Sequence, residues 1–419
     1  MPDAREFKIT GTPPEAEYFR MCRRMLIGPW CNQPEEYVGY NGFVGWAGAT
    51  RLRSGRWLIT FTSGYWHGSL PQTPEILADP VCRKIFEARW ENEDGLSCPR
   101  IYAPRGGRAH IMSSDDEGLT WSKPATLVDT EMDDRHPTIV ELDDGTLLCT
   151  FFCAPATRKC RSAWILSHDN GATWTEPRYL QPESGGMGNG SAIQLADGTV
   201  AWATQVIFEG DEFWSTGIFL SPDRGETFEL GSVIGTDHHL FETTIAELPD
   251  GRIVAASRRH CDVYWSADGG RTWTEPVPVG VDLFDPHLLL MPNGVLACFH
   301  GSYDFGGLYV ILSPDGGRTW HGPGERHGYA VDPSVYGYSH PIVLADGTAY
   351  IVYLHTGGHP AHDARTEAIW ALRVKINDAA DGIEILPAPG SPAALELPED
   401  VLALLTSRTD GNNPVLGIF

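Results

Sequence analysis

The 419-residue sequence has no run of about 18 apolar residues, so no part of it is read as a membrane-spanning helix. It has no Cys-x-x-Cys pair. Its nine cysteines, an odd number, include Cys149 and Cys298 inside apolar runs, where a thiol behaves as a small hydrophobe; a reduced compartment is the expectation. Cations are scarce: 31 Lys and Arg against 55 Asp and Glu leave a net charge of −24, which excludes a phosphate-binding face for nucleic acid and adsorption to anionic lipid. Gly-x-Ser-x-Gly, the phosphate loop, the dinucleotide fingerprint and His-Glu-x-x-His are all missing, so no cofactor and no metal are expected. The first residues do not join a basic start to an apolar run, which makes the cytoplasm the expected location.

What the sequence does have is repetition. The octapeptide Ser-x-Asp-x-Gly-x-Thr-Trp/Phe occurs at 114–121, 167–174, 221–228, 266–273 and 313–320. The starts lie 53, 54, 45 and 47 residues apart, the length of one four-stranded antiparallel sheet and the period of a propeller blade. In each copy the Asp (Asp116, Asp169, Asp223, Asp268, Asp315) is a short acceptor for N–H groups of its own turn. Gly supplies the positive φ, and the aromatic ring packs under the turn.

A second repeat counts the blades. Apolar runs flank a turn at Ser54-Gly55, Asp144-Gly145, Asp197-Gly198, Asp250-Gly251, Asn293-Gly294 and Asp346-Gly347, giving hairpins over 49–61, 138–152, 192–204, 244–256, 287–299 and 342–353. Six hairpins predict an all-β, six-bladed propeller of four-stranded antiparallel blades over 41–376, with a helical insertion near 72–95 and extensions at 1–40 and 377–419. The sixth blade has no box. Its third strand falls at 368–374, and its outer strand comes from 383–386 or from 7–10. The Pro- and Ala-rich tail has two readings, a strap or a homo-oligomer contact.

Antiparallel alternation puts the hairpin turns and the boxed turns on one face of the disc. The other face collects the starts of the innermost strands and the ends of the second strands around the central channel, where a ligand pocket is expected. Innermost starts carry Trp46, Arg135, His136, Asn189, Ser191, Glu242, Asp285, His287, Tyr338, Ser339 and His340. Second-strand ends carry Trp66, His67, Gln205, Arg258, Arg259, His260, His300 and His355. So polar a ring is expensive to bury without partners, which points to a polar ligand or to a self-satisfied network.

The octapeptide is the Asp-box of the sialidase-type propellers, and the chain resembles the sialidase superfamily over all six blades. Glu242-Thr243-Thr244 followed by Ser257-Arg258-Arg259 is similar to that family's fourth blade, and Gly337-Tyr338-Ser339 is similar to the place of its catalytic Tyr. The resemblance implies Tyr338 as nucleophile, Glu242 as the carboxylate that takes its proton, and Arg258 as the ligand of an anionic group, since a phenol with pKa near 10 needs a base. The general acid it implies lies on the 63–108 loop, which offers Glu91, Glu93 and Asp94; Asp285 is a further candidate. The chain departs from the family where an Arg-Ile-Pro motif belongs, reading Gly45-Trp46-Ala47, and again before the fifth box, reading Gly307-Leu308-Tyr309. Two arginines of the carboxylate clamp are thus gone, which favours a uronic or neutral sugar, stacked on Trp46 and Trp66, over sialic acid.

Three functions stay open. The first is an exo-acting glycoside hydrolase on a small oligosaccharide, using Tyr338 and Glu242. The second is a lyase acting by β-elimination on a uronate, with Tyr338, His136, His287, His300, His340 or His355 moving protons and Arg135, Arg258, Arg259 or Gln205 binding substrate. The third is a carbohydrate-binding propeller without catalysis.

Overall fold

The structure, a computed structural model, describes residues 18–28, 31–34, 43–64, 78, 80, 106–154, 160–181, 190, 192–235, 237–258, 261–302, 306–322, 327–335, 337–354 and 368–395. Six antiparallel sheets form a propeller. Blade 1 is Phe43–Arg51, Trp57–Gly64, Arg108–Ser114 and Ala125–Val128; blade 2 is Asp133–Glu141, Leu147–Ala154, Arg161–Ser167 and Arg178–Tyr179. Blade 3 is Ala192–Gln194, Val200–Val206, Ser215–Ser221 and Glu229–Ile234; blade 4 is Phe241–Glu247, Ile253–Arg258, Asp262–Ser266 and Val277–Pro278. Blade 5 is Phe284–Leu290, Leu296–Gly301, Leu308–Ser313 and Tyr329–Asp332. Blade 6 runs Gly337–Val343, Ala349–Leu354 and Ile369–Ile376.

The hairpin turns follow one pattern. At each, the glycine (Gly55, Gly145, Gly198, Gly251, Gly294, Gly347) has φ between 80° and 92°, a region a side chain resists. The boxes follow another. In all five the Ser hydroxyl donates to the Asp at 2.7–2.9 Å and accepts the Gly N–H, while the same Asp takes the Thr N–H and the Thr hydroxyl. These donors, led by the Thr120 hydroxyl, lower the Asp116 carboxyl to about pKa 2. Each Asp is therefore spent on its own turn. Boxes and hairpin turns meet on one face, as the Arg56–Asp115 pair at 2.7 Å and the Arg224–Asp143 pair at 2.9 Å record.

Apolar clusters fill the spaces between blades, and hydroxyls stitch neighbouring blades together. Thr60 donates to the Pro137 carbonyl between blades 1 and 2, Ser162 meets Thr204 between 2 and 3, Thr216 meets Thr243 between 3 and 4, and Thr244 takes the Leu288 N–H between 4 and 5.

Ring closure uses both ends of the chain. Arg24–Ile27 pairs with residues 369–371 of the third strand of blade 6, and Ile383–Leu386 pairs with residues 373–376 of the same strand, so two short segments share one edge. The expected choice between 383–386 and the N-terminal side is replaced by this composite strand. Its N-terminal half is Arg24–Ile27, while 7–10 lie outside the described residues, as does almost all of the 72–95 insertion. Arg23 pins the junction. Its guanidinium binds Asp332 at 3.0 Å, with side-chain exposures of 9% and 0%, and lies 4.2 Å from the Trp370 ring centre. Asp332 also accepts the Tyr353 hydroxyl at 2.8 Å and the Ser334 hydroxyl at 2.7 Å.

Removing Arg23 strands a buried carboxylate, so Arg23→Ala lowers unfolding free energy in urea by about 3–5 kcal/mol. Arg56→Ala, whose pair with Asp115 is 41% and 68% exposed, costs under about 1 kcal/mol. Equal losses in the two variants would contradict the closure assigned to Arg23.

Candidate functional site

Five of the six inner strands open on the same backbone irregularity. Trp46, His136, Glu242, Asp285 and Tyr338 all have φ between 45° and 53°. Strand register slips at each of them: between Gly45 and Gly48, Arg135 and Thr138, Phe241 and Thr244, Phe284 and His287, and Gly337 and Ser339. Such a left-handed bulge costs a non-glycine residue about 1–2 kcal/mol and re-aims its side chain. All five stand nine residues ahead of their hairpin glycine, a periodicity present in the sequence that marks the site without any family knowledge. In blade 3 the ninth residue before Gly198 is Asn189, which lies outside the described residues with Ser191.

The bulges of blades 4, 5 and 6 build one network. Glu242 Oε1 accepts the Tyr338 hydroxyl at 2.9 Å and a charged hydrogen bond from Arg258 Nη1. Its Oε2 accepts the backbone N–H of Asp285 at 3.1 Å. Arg258 Nη1 also lies 3.5 Å from the Tyr338 oxygen, and the guanidinium sits 4.2 Å from the centre of the Phe284 ring, which meets Tyr338 edge-to-face with ring centres 4.9 Å apart. Burial and then the Glu242 charge push the Tyr338 phenol well above its ordinary pKa, so it holds its proton at neutral pH. Burial works against the Arg258 charge, yet Glu242 and Tyr338 keep it firmly protonated. Burial, together with the neighbouring Glu242 charge, raises the Asp285 carboxyl well above the carboxylate range, although it takes the Ser339 N–H.

The pocket at the channel mouth is lined by Trp46, His136, Asp285, His287, Tyr338 and His340 among others. His287 and His340 meet with ring centres 4.4 Å apart, and His340 hydrogen-bonds the Ala49 carbonyl of blade 1. Burial lowers His287 to about pKa 4 and drives His340 down too, assisted there by His287, so both rings are neutral imidazoles. His136 stacks on Trp46 at 4.6 Å and approaches Tyr338 edge-on at 6.0 Å. Trp46 is only 4% exposed, with one ring face on His136, so it is a wall of the pocket and not the open sugar platform expected. Arg135 stands behind it, its Nε on Asp133 at 2.6 Å and its guanidinium 5.2 Å from the Trp46 ring centre.

Besides Arg135, two further expected residues reach neither the pocket nor the Glu242 network. His300 is fully buried inside blade 5, its Nδ1 at 2.8 Å from the Gly301 carbonyl, and Gln205 is buried in blade 3 opposite Thr216. Both sit on second strands, one strand spacing of about 4.8 Å back from the channel, which a long Arg258 spans and they do not. Arg259, His355, Trp66, His67, His260, Glu91, Glu93 and Asp94 lie outside the described residues. Sequence reasoning missed Phe284 as the floor under Arg258; its position just before a bulge residue is the signal it left. Among the described residues no group of three or more His, Cys, Asp or Glu side chains is placed to hold a metal ion.

Comparison with known proteins follows the same outline. Residues 108–351 match the BNR repeat-like domain family. A protein of unknown function from Dyadobacter fermentans is similar at 16% identity and a TM-score of 0.62, covering 85% of this chain and 100% of its own. The NanB sialidase of Streptococcus pneumoniae is similar at 12% identity and 0.57, over 85% and 71% of the two chains. The alpha-L-arabinanase of Penicillium chrysogenum, bound to arabinobiose, is similar at 14% and 0.54, over 84% and 97%. At these identities the likeness is one of fold.

His287 should keep its neutral-imidazole nitrogen shifts in an NMR titration until the pH approaches about 4. Protonation near its unperturbed value, about 6.5, would mean that the channel mouth is wetter than this geometry describes.

Proposed function

The chain belongs to the BNR repeat-like domain family, and from that premise we propose that it is an exo-acting glycoside hydrolase removing a terminal sugar from an oligosaccharide, with Tyr338 as nucleophile and Glu242 as its base. The observation that carries this reading is the 2.9 Å hydrogen bond from the Tyr338 hydroxyl to Glu242 Oε1. A buried phenol attacks only if its proton has somewhere to go, and a carboxylate already holding that proton by a hydrogen bond is the nearest destination. As the Tyr338 oxygen bonds to the anomeric carbon, the proton passes to Glu242. Arg258, bound to the same carboxylate oxygen and 3.5 Å from the phenol oxygen, steadies negative charge as it shifts between the two.

The sugar follows from what surrounds the pair. Arg258 is already committed to Glu242, and Arg135 to Asp133, so neither guanidinium is a free carboxylate clamp. With both guanidinia so engaged, a neutral terminal sugar fits such a pocket better than a sialic or uronic acid. The neutral imidazoles of His287 and His340 favour one second reading, β-elimination on a uronate, in which an imidazole takes a carbon-bound proton.

Uronate-capped and neutral oligosaccharides, assayed for released reducing sugar and for the ultraviolet absorbance of an unsaturated uronate, separate these readings. Hydrolysis gives sugar without the chromophore, and Tyr338→Phe and Glu242→Ala each lower kcat by about 100- to 10,000-fold. Appearance of the chromophore would transfer the function to the histidines. Silence in both channels across the panel would leave a carbohydrate-binding propeller.

A further inference from the structure

A hydrolase of this kind also needs a proton donor for the departing oxygen, and the ring of bulges places a carboxyl at the pocket that the nucleophile and base do not use. We propose that Asp285 is that general acid, and that its proton and the proton of Tyr338 move in the same step so that one negative charge passes from Glu242 to Asp285. The proposal rests on the hydrolase reading.

Three observations place Asp285. Its φ of 45°, in a register slip between Phe284 and His287, is the arrangement that aims Glu242 and Tyr338 on either side of it. It lines the same pocket as Tyr338, and its own backbone N–H holds Glu242 Oε2 at 3.1 Å, which fixes acid and base relative to each other through one short piece of main chain. Among the described residues it forms no ion pair, because the nearby guanidinium of Arg258 is taken by Glu242. Among the described residues the charged and titratable groups around it are Glu242 and Arg258 of blade 4, His287 of its own strand, Tyr338 and His340 of blade 6, and His136 of blade 2 across the pocket. Two carboxyls so placed cannot both be ionised cheaply. Burial and the Glu242 charge keep the proton on Asp285 while the enzyme rests.

The balance closes at each step. In the first, the Tyr338 oxygen bonds to the anomeric carbon, the glycosidic bond breaks, the phenol proton goes to Glu242 Oε1 and the Asp285 proton goes to the leaving oxygen. Glu242 becomes neutral as Asp285 becomes charged, so the like-charge penalty that held the Asp285 proton is lifted when the proton is needed. In the second, the Asp285 carboxylate takes a proton from water, the hydroxide oxygen bonds to the anomeric carbon, and Tyr338 leaves and recovers its proton from Glu242.

The resting state is tested without any substrate. The infrared difference spectrum of wild type minus Asp285→Asn at neutral pH should contain the C=O stretch of a protonated carboxyl, weakened in a Glu242→Gln background where the neighbouring charge is gone. Its absence from the wild-type protein overturns the proposal. The acid role is tested with methyl and nitrophenyl glycosides of uronic and neutral sugars. Asp285→Asn should lower kcat/KM on a methyl glycoside by about 100- to 10,000-fold, lower it at least tenfold less on the nitrophenyl glycoside, whose leaving group needs no proton, and lose the basic limb of the pH profile. Equal losses on both leaving groups would assign Asp285 to positioning Glu242 instead. Tyr338→Phe is the control: if it spares both substrates, the hydrolase reading fails and not merely this one.

Discussion

The left-handed residue that opens five of the inner strands is the constraint on which the rest depends. An L-residue with a large side chain avoids this region, and Trp46, His136, Glu242, Asp285 and Tyr338 together store several kcal/mol of backbone strain. They stay there because the ring leaves no alternative. Hydroxyl contacts join neighbouring blades, and the closing blade is locked by Arg24–Ile27 on one side of the sequence and Ile383–Leu386 on the other. A twisted strand alone would send alternate side chains between the blades; in blades 1, 2, 4, 5 and 6 the bulge turns one residue toward the channel.

From this comes an electrostatic consequence. With Glu242, Asp285 and Tyr338 on adjacent bulges, two carboxyls and a phenol stand together, and Arg258 is bonded to Glu242 and lies beside the Tyr338 oxygen. The two Glu242 oxygens collect Arg258, Tyr338 and the Asp285 N–H, and burial, followed by the Glu242 charge, raises both the Tyr338 phenol and the Asp285 carboxyl. The neutral pair His287 and His340 adds polarity without charge.

Much of the fold was legible because its signals are local. Each box closes on itself within eight residues, so Ser114, Asp116, Gly118 and Thr120 declare their turn whatever surrounds them, and the six turn glycines declare the hairpins. The closing strand was not legible in this way. Which segment adds to the edge of Ile369–Ile376 is decided by tertiary pairing and by the Arg23–Asp332 contact, 309 residues apart, and no local pattern marks Arg24–Ile27. At the site, strand ends singled out the right neighbourhood but treated all side chains there alike. Arg258 reaches the channel from a second strand, whereas His300 and Gln205, in comparable places, are shorter and stay between blades. The nine-residue interval to the turn glycine picks out the bulge residues of the inner strands, but it does not separate Arg258 from Gln205, since each lies seven residues after its own turn glycine.

The central claim, that the bulge of blade 6 presents a nucleophile to a sugar, is tested most directly by trapping. The protein is incubated with fluorinated, slow-turnover glycosyl fluorides of uronic and neutral sugars, and intact mass is followed by peptide mapping. The account expects one glycosyl group per chain, located on Tyr338 and absent from Tyr338→Phe. An adduct at another residue, or none with any sugar that the protein hydrolyses, would contradict it.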